Sequence, residues 1–555
     1  MGKIRNILRL QKSRYGVGEI ARWLWRTLSG NRLQAGLNAA VGLASVAVSL
    51  AAVWSVQRAI DIAAGSQKGS LYWAVGLMTL FTACEFGLGI SRVWIRNILG
   101  IKAQNRMQQQ MLDRLLRSEW HGRERYHSGD VINRLEQDVA TVVSFVTETL
   151  PGALSVAAMF AGAFVYLLRM DAVLALITVA MLPLFMLTSR IYIARMRKFT
   201  RRVRRSDSRV QSLLQETVQN RMLIKTLECD DMIVRRLGST QSVLRRHVRR
   251  RTAFSVMSNL LLNTGFSAGY LVAFLWSAIR LQHGTLTFGG MTAFLQLVYR
   301  IQSPARDLTK LAPAFVAVFT AAERLMELEE MPQEEQADGE QMAAPCGVRL
   351  DGVSYAYDDG KDNVIDNLSF DFRPGTCTAI LGETGAGKTT LIRLMLALVR
   401  PTAGRLTIYN AEGSREVSPA ERCNFVYVPQ GNTLLSGTIR TNLRLADPAA
   451  TEQDMLGALH TACADFVEKL PDGLDTKVTE GGGGLSEGQA QRIAIARALL
   501  RGRGIMLFDE ATSALDPATE RKLLENILSG HDKTVVFITH RPAVMDYCDQ
   551  TLRLT

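Results

Sequence analysis

Two clusters in this 555-residue chain have the residue types and spacing for phosphoryl chemistry. The first is Gly382-Glu383-Thr384-Gly385-Ala386-Gly387-Lys388-Thr389-Thr390, which fits G-x-x-x-x-G-K-[ST]. Gly385 and Gly387 let backbone N–H groups turn inward onto phosphate oxygens, where a helix N-terminus adds its own positive end. Lys388 would offset β- and γ-phosphate charge, and the Thr389 hydroxyl would ligate Mg2+. The second cluster is Ile505-Met506-Leu507-Phe508-Asp509-Glu510, an apolar run closed by two carboxylates. Asp509 is placed to reach the same Mg2+ through water, and Glu510 to orient and deprotonate an attacking water as general base.

Both clusters require the same scaffold. CTAIL (377–381) has the composition of a strand and LIRLMLALV (391–399) that of a helix, the strand-loop-helix context a phosphate loop needs. A buried parallel strand ending at Asp509 and Glu510 brings those acids to the carboxyl edge of the sheet, beside that loop. From residue 347 onward short β-rich runs and helices continue to 555, the pattern of an α/β P-loop NTPase domain. The acidic segment 331–346, with Pro332 and Pro345, reads as a solvated linker in front of it.

Residues 1–330 are of another kind. Six stretches approach the length of about 20 mainly apolar residues that a membrane helix needs, near 36–57, 71–91, 150–168, 172–194, 254–280 and 287–303. The connections after the first, third and fifth are short and carry few charges. Those after the second and fourth run to nearly 60 residues, are rich in arginine and have helical periodicity. Positive-inside bias puts these long loops, both termini and the C-terminal domain in the cytoplasm. The expected fold is an all-α six-helix transmembrane domain followed by the α/β domain, in an integral protein of the cytoplasmic (inner) membrane. Residues 17–26, VGEIARWLWR, read as an interfacial helix leading into the bilayer.

Charge divides the chain in the same way. The net +13 conceals +22 in residues 1–330 and −9 beyond them. The basic runs flank apolar stretches, as at Arg201, Arg202, Arg204 and Arg205, and no aromatic-interleaved basic patch accompanies them, which favours a lipid bilayer over nucleic acid as partner. The seven cysteines lack zinc-ligand or C-x-x-C spacing and read as reduced thiols. The basic N-terminus is not followed by the apolar core and small-residue site of a cleaved signal.

Further short motifs carry a resemblance. Leu485-Ser486-Glu487-Gly488-Gln489, followed by AQRIAIARALL, resembles the signature of ATP-binding-cassette (ABC) proteins. Gln430 in YVPQ resembles their Q-loop, Ser513-Ala514-Leu515-Asp516 their D-loop and His540 in ITHR their switch histidine, while Tyr357 in VSYAY looks like their adenine-stacking aromatic. The order is the family's, and Thr438-Ile439-Arg440-Thr441-Asn442 together with the membrane pattern looks like an exporter half-transporter, so the resemblance covers nearly the whole chain. It implies ATP and Mg2+ at the site, with Gln430 at the metal as well as at the water. It also implies a second half-transporter, because each ATP lies between the P-loop of one subunit and Ser486, Gly488 and their neighbours Gln489 and Asp516 in the other. Two departures stand out: Glu487, where the family usually has glycine, and Ala490, where it often has a basic residue.

The resemblance implies ATP-driven export of a hydrophobic or amphipathic small molecule, a lipid or a peptide. A cofactor importer of the same fold, or an ATP-gated channel or regulatory subunit, is the alternative. One chain supplies Lys388, Gln430, Ser486, Glu510 and His540, which favours a homodimer over a heterodimer. YHSGDVINRLEQDV (126–139) and LLQETVQNRMLIKTLECDD (213–231, with Glu216 and Lys225) resemble the intracellular coupling segments of these exporters. No motif encodes the cargo. Glu85, Asn259, Asn263 and Gln296, polar residues within spans, have two readings: they line a chamber that favours neutral or cationic cargo, or they hydrogen-bond across helices and hold the bundle together.

Overall fold

The computed structural model describes residues 14–27, 29, 32–120, 128–335, 339–357, 363–479, 482–529 and 532–554; within its helices the side chains of 177–194 and 303–313, among others, lie outside the description. The chain divides into two compact units. One is Met1–Leu112 with Ile132–Glu329, the other Asp113–Val131 with Glu330–Thr555.

The first unit is helical. Each of the six apolar stretches lies on its own helix, within Arg32–Ala63, Leu71–Leu116, Leu150–Met170, Ala172–Gln219, Asp230–Gln282 and Phe288–Glu329. Among the described residues four helices are long and apolar enough to cross a membrane: Arg32–Ala63, Leu71–Leu116, Gly129–Met170 and Asp230–Gln282. Small residues allow close packing, as expected where lipid offers no hydrophobic drive to association. A Cβ on Gly42 would stand 2.5 Å from Ser155 Oγ, and one on Gly162 2.5 Å from Leu50 Cδ1, so the first and third membrane helices meet at these glycines. Val53, Ala163, Leu167, Phe294, Leu297 and Ile301 form part of the core around them.

Polar ties are few and specific. The buried carboxylate of Asp61 accepts from Gly289 N at 2.8 Å, joining the end of one membrane helix to the start of another. Asp171 pairs with Arg280 at 3.0 Å and accepts from Trp276 Nε1 at 3.2 Å. Buried Arg134 donates to the Arg324 carbonyl (2.7 Å) and to Glu327 (3.0 Å). The helix Val17–Thr27 buries Ile20 and Trp23 while Trp25 is exposed, and the Trp23 indole donates to Glu329.

Residues 126 and 127 of the first expected coupling segment lie outside the described residues. Its remainder begins a helix at Ser128 with a π-helical turn at Arg134–Asp138. The second segment is interrupted at Asn220 and Cys229, with Arg221–Thr226 as a short helix between two long ones.

The second unit holds two sheets. The antiparallel one has the order β2-β1-β4-β5, with β1 Gly347–Tyr355, β2 Ile365–Phe372, β4 Ala403–Tyr409 and β5 Ser414–Glu416. The parallel one has the order β11-β3-β10-β9-β6, from β3 Cys377–Leu381, β6 Phe425–Val428, β9 Ile505–Asp509, β10 Thr534–Ile538 and β11 Gln550–Arg553. A small ribbon pairs β7 Gly437–Thr438 with β8 Lys477–Val478. Strands β9 and β10 are buried at every position, which is why their sequences are continuous apolar runs rather than alternating ones.

Among its described residues the segment 331–346 is mostly exposed, and hydrogen bonds tie it to this unit. Arg422 forks onto Glu334 at 2.6 and 2.8 Å, Met342 N donates to Asn424 Oδ1 at 2.7 Å, and Asn410 Nδ2 donates to the Ala343 carbonyl at 3.0 Å. Residues 117–119 run beside it, with Glu119 N on the Pro332 carbonyl (2.8 Å) and Glu334 N on the Arg117 carbonyl (2.9 Å).

Candidate nucleotide site

Strand order explains how residues more than 150 positions apart converge. Strands β3, β10, β9 and β6 are successive neighbours in one parallel sheet, and each ends at the same edge. The loop Gly382–Thr390 leaves β3, His540 follows β10, Asp509 and Glu510 close β9, and Gln430 follows β6. This is the carboxyl edge, where ligands of such sheets bind.

The loop has the geometry of a phosphate cradle. Gly385 has φ 95° and Gly387 φ 88°, left-handed values that side chains resist. At Gly387 a Cβ would also stand 2.9 Å from the Val364 carbonyl oxygen, so this position admits only glycine. Glu383, Thr384 and Gly385 are exposed at the tip, and Ala386 N donates to the Glu383 carbonyl at 3.1 Å. Lys388, the first helical residue, is buried and turns back over the loop. Its Nζ donates to the carbonyls of Gly382 (2.5 Å) and Glu383 (3.1 Å) and stands 3.1 Å from His540 Nε2.

Thr389 Oγ1 donates to Asp509 Oδ2 at 3.3 Å, and Tyr427 Oη donates to the same oxygen at 3.2 Å. Burial pushes the Asp509 carboxyl above the usual carboxylate range, and the two hydroxyl donors oppose that push. Burial also raises the Tyr427 phenol, with the Asp509 charge adding to the effect.

Glu510 lies between two other groups. Gln430 Nε2 donates to its Oε2 at 2.6 Å, and His540 Nε2 lies 4.0 Å from its Oε1. The backbone of Glu510 has φ 49°, a left-handed value for a residue with a side chain, and its N–H is held by the Ile538 carbonyl at 3.0 Å. Backbone strain of this kind persists where the surroundings over-determine a conformation.

Tyr357 lies beside the other end of the loop. Its hydroxyl is 2.9 Å from Thr390 Oγ1 and accepts from Arg393 Nη1 at 3.0 Å, while the Tyr355 ring meets it edge-on at 5.0 Å. The structure thus joins Lys388, Thr389, Asp509, Glu510, Gln430 and His540 by direct contacts, with Tyr357 joined through Thr390.

The signature residues are engaged elsewhere in the chain. Ser486 caps the helix Glu487–Arg501, its Oγ accepting from Gln489 N (3.2 Å) while the Gln489 side-chain oxygen accepts from Ser486 N (2.9 Å). Asp516 caps Pro517–Leu528 in a similar way, accepting from Thr519 N at 3.0 Å, which holds its carboxyl below the usual range. Gly488 packs so closely on the D-loop that a Cβ there would stand 2.7 Å from the Ala514 carbonyl oxygen. Ala490 is buried and Glu487 exposed.

Sequence reasoning missed four residues that set this geometry. Tyr427 bonds Asp509. Arg393 bonds Tyr357. Gln491, buried, accepts from Ala514 N at 3.2 Å and donates to Ser513 Oγ at 3.3 Å. Arg541 donates to the carbonyls of Ser513 (2.7 Å) and Leu515 (3.0 Å) and to Glu520 (2.9 Å). The last two stand close to motif residues, a signal that proximity alone could have given.

A P-loop beside a strand ending in two carboxylates, with a glutamine and a histidine on the second of them, defines a nucleotide-hydrolysing ATPase domain of the ABC type. Residues 36–304 match the family described as ABC transporter transmembrane region, and residues 365–513 match the one described as ABC transporter. The chain belongs to the ABC transporters, as an exporter-type half-transporter that fuses the membrane domain to the ATPase domain.

Its relatives include an ATP-dependent lipid A-core flippase of Chromobacterium violaceum, 28% identical over 454 residues, covering 80% of this chain and 77% of the relative. Another is ABC multidrug transporter mdr2 of Aspergillus fumigatus, 28% identical over 487 residues, covering 86% of this chain and 61% of that protein. Among solved structures, a bacterial Atm1-family ABC exporter with ATP bound has the same fold, with a TM-score of 0.76, 22% identity, and coverage of 95% of this chain and 94% of that one. The chain is an integral membrane protein and an ATP hydrolase coupled to transmembrane transport.

Proposed function

We propose that two copies of this chain form the working exporter, with each ATP held by the P-loop of one copy and by Ser486 and Gly488 of the other. The observation that carries the catalytic part is the position of Glu510, bonded to Gln430 and 4.0 Å from His540 at the edge where the P-loop ends. Lys388 and the loop N–H groups hold the phosphates, and Tyr357 offers its ring to adenine. Glu510 takes a proton from water as that water's oxygen bonds to the γ-phosphorus and the bond to the ADP oxygen breaks. Gln430 fixes the carboxylate and the water, and His540 donates to the γ-phosphate.

The oxygen donors Thr389 Oγ1 and Asp509 Oδ2, already at hydrogen-bond distance, suit a hard cation such as Mg2+, with Gln430 contributing its amide oxygen. That ion would supply charge neutralisation at the β- and γ-phosphates. ATP favours the closed pair of ATPase domains because its γ-phosphate contacts both copies only there. Both termini and the ATPase domain lie in the cytoplasm of a cell whose inner membrane holds the helices.

For cargo we favour a lipid or a cationic or neutral amphipathic molecule. Glu85 lines an open face of the helix Leu71–Leu116 with Phe86, Ile90, Trp94 and Asn97, and its Oε1 accepts from Ser49 Oγ at 2.9 Å. Asn259, Asn263 and Gln296 are not part of that lining. A carboxylate held beside aromatic and aliphatic surface suits a molecule with a cationic head and an apolar body. The test is ATP-dependent accumulation of amphipathic dyes of positive, zero and negative charge in inside-out vesicles containing the chain. Accumulation of the cationic dye, reduced selectively by Glu85→Gln, supports the reading; accumulation of no dye, or of the anionic one alone, refutes it.

A further inference from the structure

The geometry points to Trp120 and Arg393 as positioning residues that hold the adenine platform Tyr357 in place and tie it to residues 117–120, the segment that follows the helix Leu71–Leu116. This rests on the reading of Tyr357 as the base-stacking ring.

The contacts form one continuous series. The Arg393 guanidinium carbon lies 4.5 Å from the centre of the Trp120 ring. Arg393 Nη1 donates to the Tyr357 hydroxyl at 3.0 Å, and that hydroxyl is 2.9 Å from Thr390 Oγ1 in the P-loop. Thr390 and Arg393 are three residues apart on the helix Lys388–Met395, so they share a face and reach the same phenol. With Tyr355 edge-on at 5.0 Å, the Tyr357 ring is restrained along its body and at its tip. A ring already fixed in its binding orientation loses little freedom when a base stacks on it, and the affinity gained is that saved ordering cost.

Trp120 is itself fixed from two directions. Its indole packs half-buried against the apolar core of the antiparallel sheet. Its backbone continues the strand-like contact of 117–119 with 332–334, and the neighbouring Glu119 carboxylate pairs with Arg400 at 3.2 Å. Residues 117–120 directly follow the helix Leu71–Leu116, which runs through the membrane. Trp120 is thus held by contacts within the ATPase unit and gives Arg393 the flat surface on which a guanidinium stacks. Displacing the segment removes the stacking partner of Arg393, frees the Tyr357 hydroxyl and lowers the affinity for adenine. By reciprocity, a bound base holds the segment in place.

A change in this series should alter recognition of the base and spare the phosphate cradle. In the full chain in lipid, Trp120→Ala should raise the KM for ATP about three- to tenfold, the range of a partly desolvated cation–π contact, with kcat within about twofold of wild type. Inhibition by inorganic tripolyphosphate, which has no base, should be unchanged, and Trp120→Phe should restore the KM. Arg393→Gln should raise the KM at least as much. If Tyr357→Ala raises the KM while Trp120→Ala leaves it within twofold of wild type, the positioning role is wrong and the platform stands. If Tyr357→Ala leaves the KM unchanged, the platform reading fails. Equal loss of affinity for ATP and tripolyphosphate in Trp120→Ala would mark general distortion of the loop and would also overturn the proposal.

Discussion

Gln430 Nε2 donates to Glu510 Oε2 at 2.6 Å, joining the turn after β6 to the end of β9. A general base depends on orientation as much as on charge, and in the role proposed for Glu510 the amide of Gln430 is the group that fixes it. Gln430→Ala should lower phosphate release by roughly 10- to 100-fold, part of the roughly 100- to 10,000-fold that general base catalysis contributes, while ATP affinity changes little. Paired measurements of nucleotide binding and turnover check this. An equal loss of both would move Gln430 from orienting the base to holding the nucleotide.

Arg541 donates to Glu520, whose side chain is only 2% exposed. Removing the cation leaves a buried carboxylate without its charge partner, which costs about 3–5 kcal/mol in fully buried pairs and less here, where Arg541 is 35% exposed and solvent screens the pair. Arg541→Ala should therefore lower the thermal unfolding midpoint of the ATPase domain by at least several degrees. Adding Glu520→Gln should recover part of the loss, since an amide is cheaper to bury than an unpaired carboxylate. No recovery in the double variant would mean that the contacts of Arg541 with the Ser513 and Leu515 carbonyls carry its effect.

Gly488→Ala tests the closeness of signature and D-loop. The new methyl would stand 2.7 Å from the Ala514 carbonyl oxygen, a backbone atom that can yield only by moving the loop. Turnover should fall at least tenfold, with ATP binding at Lys388 retained because the P-loop is untouched. Wild-type turnover would show that the D-loop can shift without cost.

These contacts differ in how far the sequence announces them. The P-loop and the Asp509–Glu510 pair are legible because each is a local pattern, glycines at fixed spacing in one case and an apolar run closed by acids in the other. The six apolar stretches are legible for the same reason, but the helices extend well past them, to Leu116, Gln219, Gln282 and Glu329, because amphipathic periodicity continues into the loops. The contact of Trp120 with Arg393 spans 273 positions, and neither residue belongs to a motif. Tyr427 reads as one more apolar strand residue until β6 and β9 are seen to pair. At 331–346 the acidic residues agree with a mostly exposed segment, but composition gives no sign that Arg422, Arg415 and Asn424 tie it to the ATPase unit. Gln489 and Asp516, expected at the nucleotide, complete helix caps within this chain, and the sequence does not separate the two uses.

The central claim is that one chain type supplies every residue for ATP hydrolysis and that Glu510 performs the proton abstraction. The most direct measurement is steady-state phosphate release by the purified chain in lipid, with Mg2+ and no second gene product, for wild type and Glu510→Gln, with bound ATP quantified in both. The account predicts turnover by the wild type, a loss of at least about 100-fold in the variant, and ATP retained by both. Turnover by Glu510→Gln near the wild-type rate, or none by the wild type until a second half-transporter is added, would contradict it.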